Sequence, residues 1–417
     1  KGSSVVTNRD VHRSPRMLKR GIISGLPSAG VNVLDLGEMP IPVARFVTQK
    51  SGSAGGVHVR LSPYDARVVD IKFFDRNGQD LTKTTERSIE NVFFREDFRR
   101  VYLDEIGSIS YAAKVVEDYT EAFLKAIKAD TIRSANPYLA VDFANSPTAL
   151  VLAPILTQLN CRVVALNESV DETKMSISTE EFHQSIAQLG KICAVLETAL
   201  GVRLDVGGER VFVVDCGGGE VDGARLTAAL ARLSFICEGG GAVAVPVTMP
   251  GVFEQMADMY GGKIIRTKAN LQAVMAAANH PDVIMAADGN GSFIWPRFQP
   301  VVDGMMTVAK VLEYLTSQGI TIRDALQGVP AYHMAQGEVS CPWEAKGTVM
   351  RLLNQQYRDR LGEQIDGVKI QLAEGAWVLV LPDADRPVFY IYAQAHSAEE
   401  ARNLLDRYQR IVEGLQG

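Results

Sequence analysis

GGVHVRLSPYDARVVDIKFFDRNG, residues 55–78, opens on a glycine pair that starts a strand, breaks at Ser62-Pro63, and resumes as a second strand that ends in Asn-Gly. Ser62 therefore stands between a strand and a proline turn, while His58 reads as a strand residue. Working back toward the start, Val5 and Val6 form an apolar strand, and a helix is expected over Pro15 to Leu26. A second strand, VNVLDLG, begins just past Gly30, which sits where a helix C-terminal glycine belongs. A proline-led helix from Ile41 to Val47 then leads into the quoted stretch. The order β-α-β-α-β predicts a mostly parallel sheet covered on both faces.

The pattern restarts twice. YLAVDFAN (138–145), a helix over Thr148 to Leu159, CRVVAL and RVFVVD (210–215) make a second unit. AVAVPV (242–247), a helix over Val252 to Tyr260, KIIRT, a helix over Leu271 to Ala278 and VIMAAD make a third. The last eighty or so residues differ: a helix after Pro342, three short strands (GVKIQL, WVLVL, VFYIYAQ) and a closing helix with apolar spacing at Leu404, Leu405, Tyr408, Ile411, Val412 and Leu415. The expected fold class is α/β, with three tandem α/β/α domains at 1–134, 135–238 and 239–336 and a C-terminal α+β domain at 337–417.

The 417 residues leave room for that division, and 47% hydrophobic with 22% charged is ordinary for a cytoplasmic globular protein. A formal charge of −6 argues against nucleic acid and anionic membrane as partners, since both need a cationic face. No apolar run approaches the roughly 18–20 residues of a spanning helix. Cys161, Cys193, Cys216, Cys237 and Cys341 are scattered, never Cys-x-x-Cys, and read as small core residues of a reduced compartment. There is no signal peptide, and the opening at Lys1 without Met suggests a fragment whose upstream part is missing.

Four stretches carry chemistry. Ser62 has Arg60 and Arg67 near it in sequence, and NRDVHR supplies Arg9 and Arg13; a phosphorylated serine needs such cations against its nearly two negative charges. LGVRLDVGGERVFVVD (200–215) offers Asp205 and Glu209 as oxygen ligands around Gly207, followed by Arg210. ADGNGSFIWP (287–296) carries Asp288 and Asn290, both able to hydrogen-bond, and IIRTKAN (264–270) carries Arg266 and Lys268. DGVKIQLAEGAWVLVLPDADRPVFYIYAQA (366–395) holds the turn Leu381-Pro382-Asp383-Ala384-Asp385-Arg386-Pro387.

Taken together these stretches resemble the phosphohexomutases, the family of phosphomannomutase and phosphoglucomutase, over essentially the whole chain. The resemblance places Ser62 on the family's phosphorylated serine (Thr-Ala-Ser-His-Asn-Pro), Lys72 on its acid–base lysine and Arg9 beside the active serine. It implies a hexose phosphate substrate bound by Arg210, Arg266, Lys268, Asp288 and Asn290, Mg²⁺ at Asp205 and Glu209, a glucose 1,6-bisphosphate activator and a fourth domain that swings. Several positions depart from the pattern. The metal loop Asp-Gly-Asp-x-Asp-Arg here has Gly207 and Glu209 at its second and third carboxylates, which predicts weak Mg²⁺ binding at best. Ser292 replaces a histidine, Asp288 a glutamate, and the phosphate-clamping Arg-Pro-Ser-Gly-Thr-Glu-Pro becomes a leucine with two carboxylates. Each carboxylate near a phosphate dianion costs on the order of a few kcal/mol at an effective dielectric near 20.

The runs IIRTKAN, SCPWEAKG and WVLVLPDADRP resemble the mutase-like region fused behind the nucleotidyltransferase of cyanobacterial-type mannose-1-phosphate guanylyltransferases. Three readings stay open on these residues. One is a mutase-fold module of such a protein with a sensing, regulatory or assembly role; the second is a working mutase passing phosphoryl through Ser62; the third is a structural homo-oligomerisation domain.

Overall fold

The structure, a computed structural model, describes residues 2–373 and 375–416; Lys1, Glu374 and Gly417 lie outside the described residues. Four sheets follow one another along the chain. In the first, Gly55–Leu61, Ser4–Arg9, Asn32–Glu38 and Ile109–Tyr111 run parallel, and Val69–Asp75 is added antiparallel beside Gly55–Leu61. The second has Arg162–Leu166, Tyr138–Asp142 and Leu200–Leu204 parallel, with Val211–Val214 antiparallel at its edge. The third repeats the theme with Gly262–Thr267, Gly241–Pro246 and Val283–Ala287 parallel, then Phe293–Trp295 and Gln299–Val302 antiparallel. Helices flank all three, as the alternating sequence predicts.

An aspartate closes the turn that follows the antiparallel strand in the first two sheets and the turn that leads into it in the third. Asp75 Oδ1 accepts the N–H of Asn77 and Gln79, and Asp215 Oδ1 that of Gly217 and Gly219. Asp288 Oδ1 accepts those of Asn290 and Ser292 in the same way. Such side-chain to backbone bonds favour tight turns.

The fourth sheet is wholly antiparallel, in the order His333–Ser340, Val388–Ala395, Ala376–Pro382, Val368–Ala373. It has four strands where the sequence reading finds three. The extra strand, HMAQGEVS, is an edge strand with Val339 as its one apolar side chain turned fully inward, so its composition does not announce it. The boundary expected at 336/337 falls inside it. Likewise the helix Gly223–Glu238, expected in the second unit, packs on Val283–Ala287 and Val252–Tyr260 of the third.

The first three units share one apolar core. Phe46, Tyr119, Phe123 and Phe298 meet at ring separations of 5.4 to 5.9 Å across the first and third units. Beside them Tyr119 donates to Asp303 Oδ2 at 2.6 Å, and Gln79 Nε2 donates to the carbonyls of Met275 and Pro300. By contrast the helix Lys83–Arg95 buries no residue, and Phe93 and Phe94 stand 62% and 79% exposed.

Candidate functional site

The loop 205–210 sits where the first three units meet. Ile41 N–H donates to the Gly207 carbonyl (2.9 Å), Gly304 N–H to that of Gly208 (2.9 Å), and Val211 N–H to that of Gly291 (3.0 Å). Gly208 takes φ +76°, and a Cβ there would come within 2.9 Å of the Thr148 methyl, so glycine suits both the turn and the approach. Asp205 Oδ1 accepts the N–H of Glu209 (2.7 Å) and Arg210 (2.8 Å), folding the loop on itself.

Glu209 points out of this loop into the first unit. Its Oε2 meets Lys72 Nζ at 2.6 Å and Arg60 Nη1 at 3.7 Å; its Oε1 accepts from Arg45 Nη2 at 2.8 Å. Arg45, fully buried on the helix Ile41–Lys50, also reaches Asp80 (2.7 Å) and the Gly78 carbonyl (2.7 Å), with the Phe74 ring 4.3 Å beneath it. Burial alone would raise the Glu209 carboxyl, but Lys72, Arg45 and Arg60 outweigh it and hold the group well below the usual carboxylate range. Lys72 is lowered by its burial, against the pull of Glu209. Asp205 is raised, by burial first and by the Glu209 charge second.

These positions do not fit a divalent cation. Gly207 has no ligand atom, and a Cβ there would lie 3.4 Å from Arg60 Nη1, 3.3 Å from Asp205 Oδ2 and 3.0 Å from Ile41 Cδ1. Both Glu209 oxygens face cations, and one Asp205 oxygen is held by the backbone. Among the described residues no group of three or more His, Cys, Asp or Glu could hold a metal ion. Of the two residues expected as Mg²⁺ ligands, Glu209 meets Lys72, Arg45 and Arg60, and Asp205 Oδ1 takes the Glu209 and Arg210 N–H groups.

Ser62 lies one residue past the strand Gly55–Leu61, 8% exposed, with its N–H on the Val68 carbonyl and the Tyr64 N–H 3.4 Å from its Oγ. Asp10 Oδ2 accepts the N–H of Leu61 at 2.6 Å, next to that serine; burial, opposed by the N–H donors of Leu61 and His12, raises its carboxyl to about 6. His58 Nδ1 faces Asn8 Nδ2 at 2.9 Å, and burial with the charges of Arg60 and Lys72 keeps the ring neutral. Arg210 Nη1 donates to the Tyr64 hydroxyl at 3.0 Å, latching the serine loop to the second unit.

The remaining expected residues are dispersed. Arg9 bonds Glu38 and the Asp10 carbonyl. Lys268 and Asn290 are exposed at the third unit, and Asp288 closes its own turn. Arg266 is held within the third unit. Its guanidinium bonds Glu254 twice and the carbonyls of Pro246, Met249 and Pro250, which accounts for all five of its N–H groups. In the fourth unit Asp383 Oδ1 accepts the N–H of Asp385 (2.7 Å) and Arg386 (2.8 Å). Lys346 supports the same turn from behind, donating to the Asp383 and Arg386 carbonyls. Leu381, 8% exposed, belongs to an apolar cluster with Trp377, Leu379 and Val247 of the third unit.

Sequence reasoning missed Arg45, Asp10 and Tyr64. The signal for Arg45 is an arginine inside the otherwise apolar turn IPVARFV.

This is the fold of enzymes that shift phosphate groups on sugars. The family pattern described as phosphoglucomutase/phosphomannomutase, alpha/beta/alpha domain I, matches residues 1–100, and that for its domain III matches residues 222–332. The chain belongs to the phosphoglucomutase/phosphomannomutase family. A phosphoglucomutase/phosphomannomutase of Thermococcus kodakarensis is 28% identical over 412 residues, covering 98% of this chain and 90% of that protein. Among solved structures, a phosphoglucomutase/phosphomannomutase family protein of Burkholderia thailandensis superposes at TM-score 0.85 with 20% identity, over 99% of this chain and 90% of that one. An N-acetylphosphoglucosamine mutase of Aspergillus fumigatus, in complex with GlcNAc-6P and magnesium, superposes at 0.62 with 13% identity, over 98% and 82%. Among the described residues no helix is long and apolar enough to cross a membrane.

Proposed function

We propose that this chain binds a hexose phosphate as a mutase-fold module of a nucleotide-sugar synthesis protein, of the mannose-1-phosphate guanylyltransferase type, and serves a sensing, regulatory or assembly role. The observation that carries the reading is the contact of Lys72 Nζ with Glu209 Oε2 at 2.6 Å. The group expected to move protons and the group expected to hold the metal neutralise each other, so neither is free for the usual reaction. A role in assembly draws support from the exposed Phe93 and Phe94, since contiguous apolar surface marks association; a homo-oligomer is the expected state.

A second reading keeps catalysis. A phosphoryl group on Ser62 Oγ would pass to the free hydroxyl of a hexose 1- or 6-phosphate, and the bisphosphate would return its other phosphoryl to Ser62. What favours it is Asp10, a carboxyl titrating at about 6 beside the serine loop, with Arg60 two residues from Ser62. The deciding experiment supplies Mg²⁺, glucose 1,6-bisphosphate and mannose or glucose 1-phosphate. The module reading expects turnover more than about a hundredfold below the Thermococcus relative, a loss of about 2.7 kcal/mol or more in transition-state stabilisation. Turnover nearer to that relative's, abolished by Ser62→Ala, would replace it with the second reading.

A further inference from the structure

The helix Lys83–Arg95 stands off the first unit as an arm. Gln272 of the third unit holds its root, donating to the Leu81 carbonyl and to Glu86. From residue 87 to residue 100 every residue is exposed. Thr82 caps the first turn and Lys83 pairs with Glu86 at 3.0 Å, but a helix of thirteen residues that buries none of them is marginal in water. Its sequence is nevertheless amphipathic: Ile89, Val92 and Phe93 recur at i, i+3 and i+4, and Phe94, Phe98 and Tyr102 follow. Phe93, Phe94, Phe98 and Tyr102 stand 62%, 79%, 53% and 83% exposed. At about 200 Å² a ring they leave on the order of 550 Å² of aromatic surface in water, most of the roughly 800 Å² that one partner covers in a stable pair.

We infer that residues 83–103 are the contact arm of a homodimer, each arm lying against the same arm of a second copy. The pairing rests on the assembly role proposed above and names its partner. Charge selects that partner. Residues 83–100 hold five Lys and Arg against four Asp and Glu, whereas the chain as a whole stands at −6. Two copies meeting through their bodies would bring net negative charge against net negative charge; arm on arm sets nearly neutral surfaces of mixed sign together. Nucleic acid or an anionic lipid surface would call for an arm of one sign. A two-fold axis uses the same patch on both copies, so an apolar stripe edged by both signs is complementary to itself. Rings buried at the centre of such an interface carry most of its affinity, and the helix gains the packing it lacks within its own chain.

Sedimentation equilibrium tests the pairing on the chain as it stands. At about 50 µM the expected mass is twice the 45.4 kDa of one chain, and Phe93→Ser together with Phe94→Ser should weaken the pair at least a hundredfold. Because neither ring is packed within its own chain, the double variant should keep the ellipticity and urea midpoint of the diluted parent. Amide exchange over residues 86–95 should slow at least tenfold between about 0.1 and about 50 µM in the parent, and stay constant in the variant. A mass of 45.4 kDa at about 50 µM, a dimer that survives the double substitution, or exchange independent of concentration in the parent would each overturn the pairing. If the double variant fails to fold, the concentration dependence of exchange in the parent decides alone. Turnover near that of the Thermococcus relative would end the module reading and leave the mass unchanged. A single-chain mass would end the pairing and leave the turnover assay to decide the module reading.

Discussion

Replacing Glu209 by glutamine keeps the side chain's shape and removes its charge. Lys72 then loses its partner at 2.6 Å, while Arg45 keeps Asp80 and Arg60 keeps Asp70. Taking one partner from a buried ion pair costs about 3–5 kcal/mol, because the other charge stays out of water uncompensated. Glu209→Gln should therefore lower unfolding free energy by that amount in urea titrations followed by ellipticity. Adding Lys72→Met should return at least half of it, since no orphan charge is then left. The same titration tests the metal. Were Mg²⁺ bound with a dissociation constant of about 0.1 mM, 10 mM would stabilise the protein by roughly 2.7 kcal/mol. The expected effect against EDTA is below about 0.5 kcal/mol. A cost under about 1 kcal/mol for Glu209→Gln, or a Mg²⁺ stabilisation above it, would refute the account of the site.

Asp10 gives the pH dependence a sign. Its folded value near 6 lies above the ordinary 3.8, so between those values the folded protein holds a proton that the unfolded chain has released, and stability falls as pH rises through the window. The full effect is about 3 kcal/mol; Asp10→Asn should lessen the slope without abolishing it, because Asp303, raised to about 6 mainly by burial, and Asp205, also raised by burial, act in the same direction. Glu209 works oppositely, its stabilisation being lost as pH drops below the ordinary glutamate range, so the two are separable by midpoint against pH. Arg266→Met should cost about 2–4 kcal/mol by leaving the Pro246, Met249 and Pro250 carbonyls without their donor, while calorimetry finds the affinity for mannose 6-phosphate changed less than twofold. Intact mass after incubation with glucose 1,6-bisphosphate should show no phosphoryl adduct that Ser62→Ala removes; such an adduct would favour the catalytic reading.

The parallel units were legible because their strands are apolar runs closed by glycines and their helices begin at prolines or caps. The helix Val252–Tyr260 is read to the residue, since Gly251 and Gly261 bracket it. Local pattern fails where the partner is far along the chain. Glu209 reads as a modified metal ligand until Arg45, 164 positions away, is seen on its other oxygen. Leu381 reads as a lost phosphate contact, whereas in the fold it is a buried member of the apolar cluster that Trp377 and Leu379 form on the same face. Arg266 has the charge of a ligand, yet its donors face carbonyls that no sequence motif marks.

The full burial of Arg45 also bears on how this chain can be dissected. Its helix belongs to the first sheet, yet one of its two carboxylates is contributed by a loop that begins some hundred and sixty residues later. A truncated protein ending before Tyr138 would carry Arg45, Arg60 and Lys72 with Glu209 gone, so deletion mapping should treat residues 2–214 as the shortest stretch in which those cations meet their counter-charge.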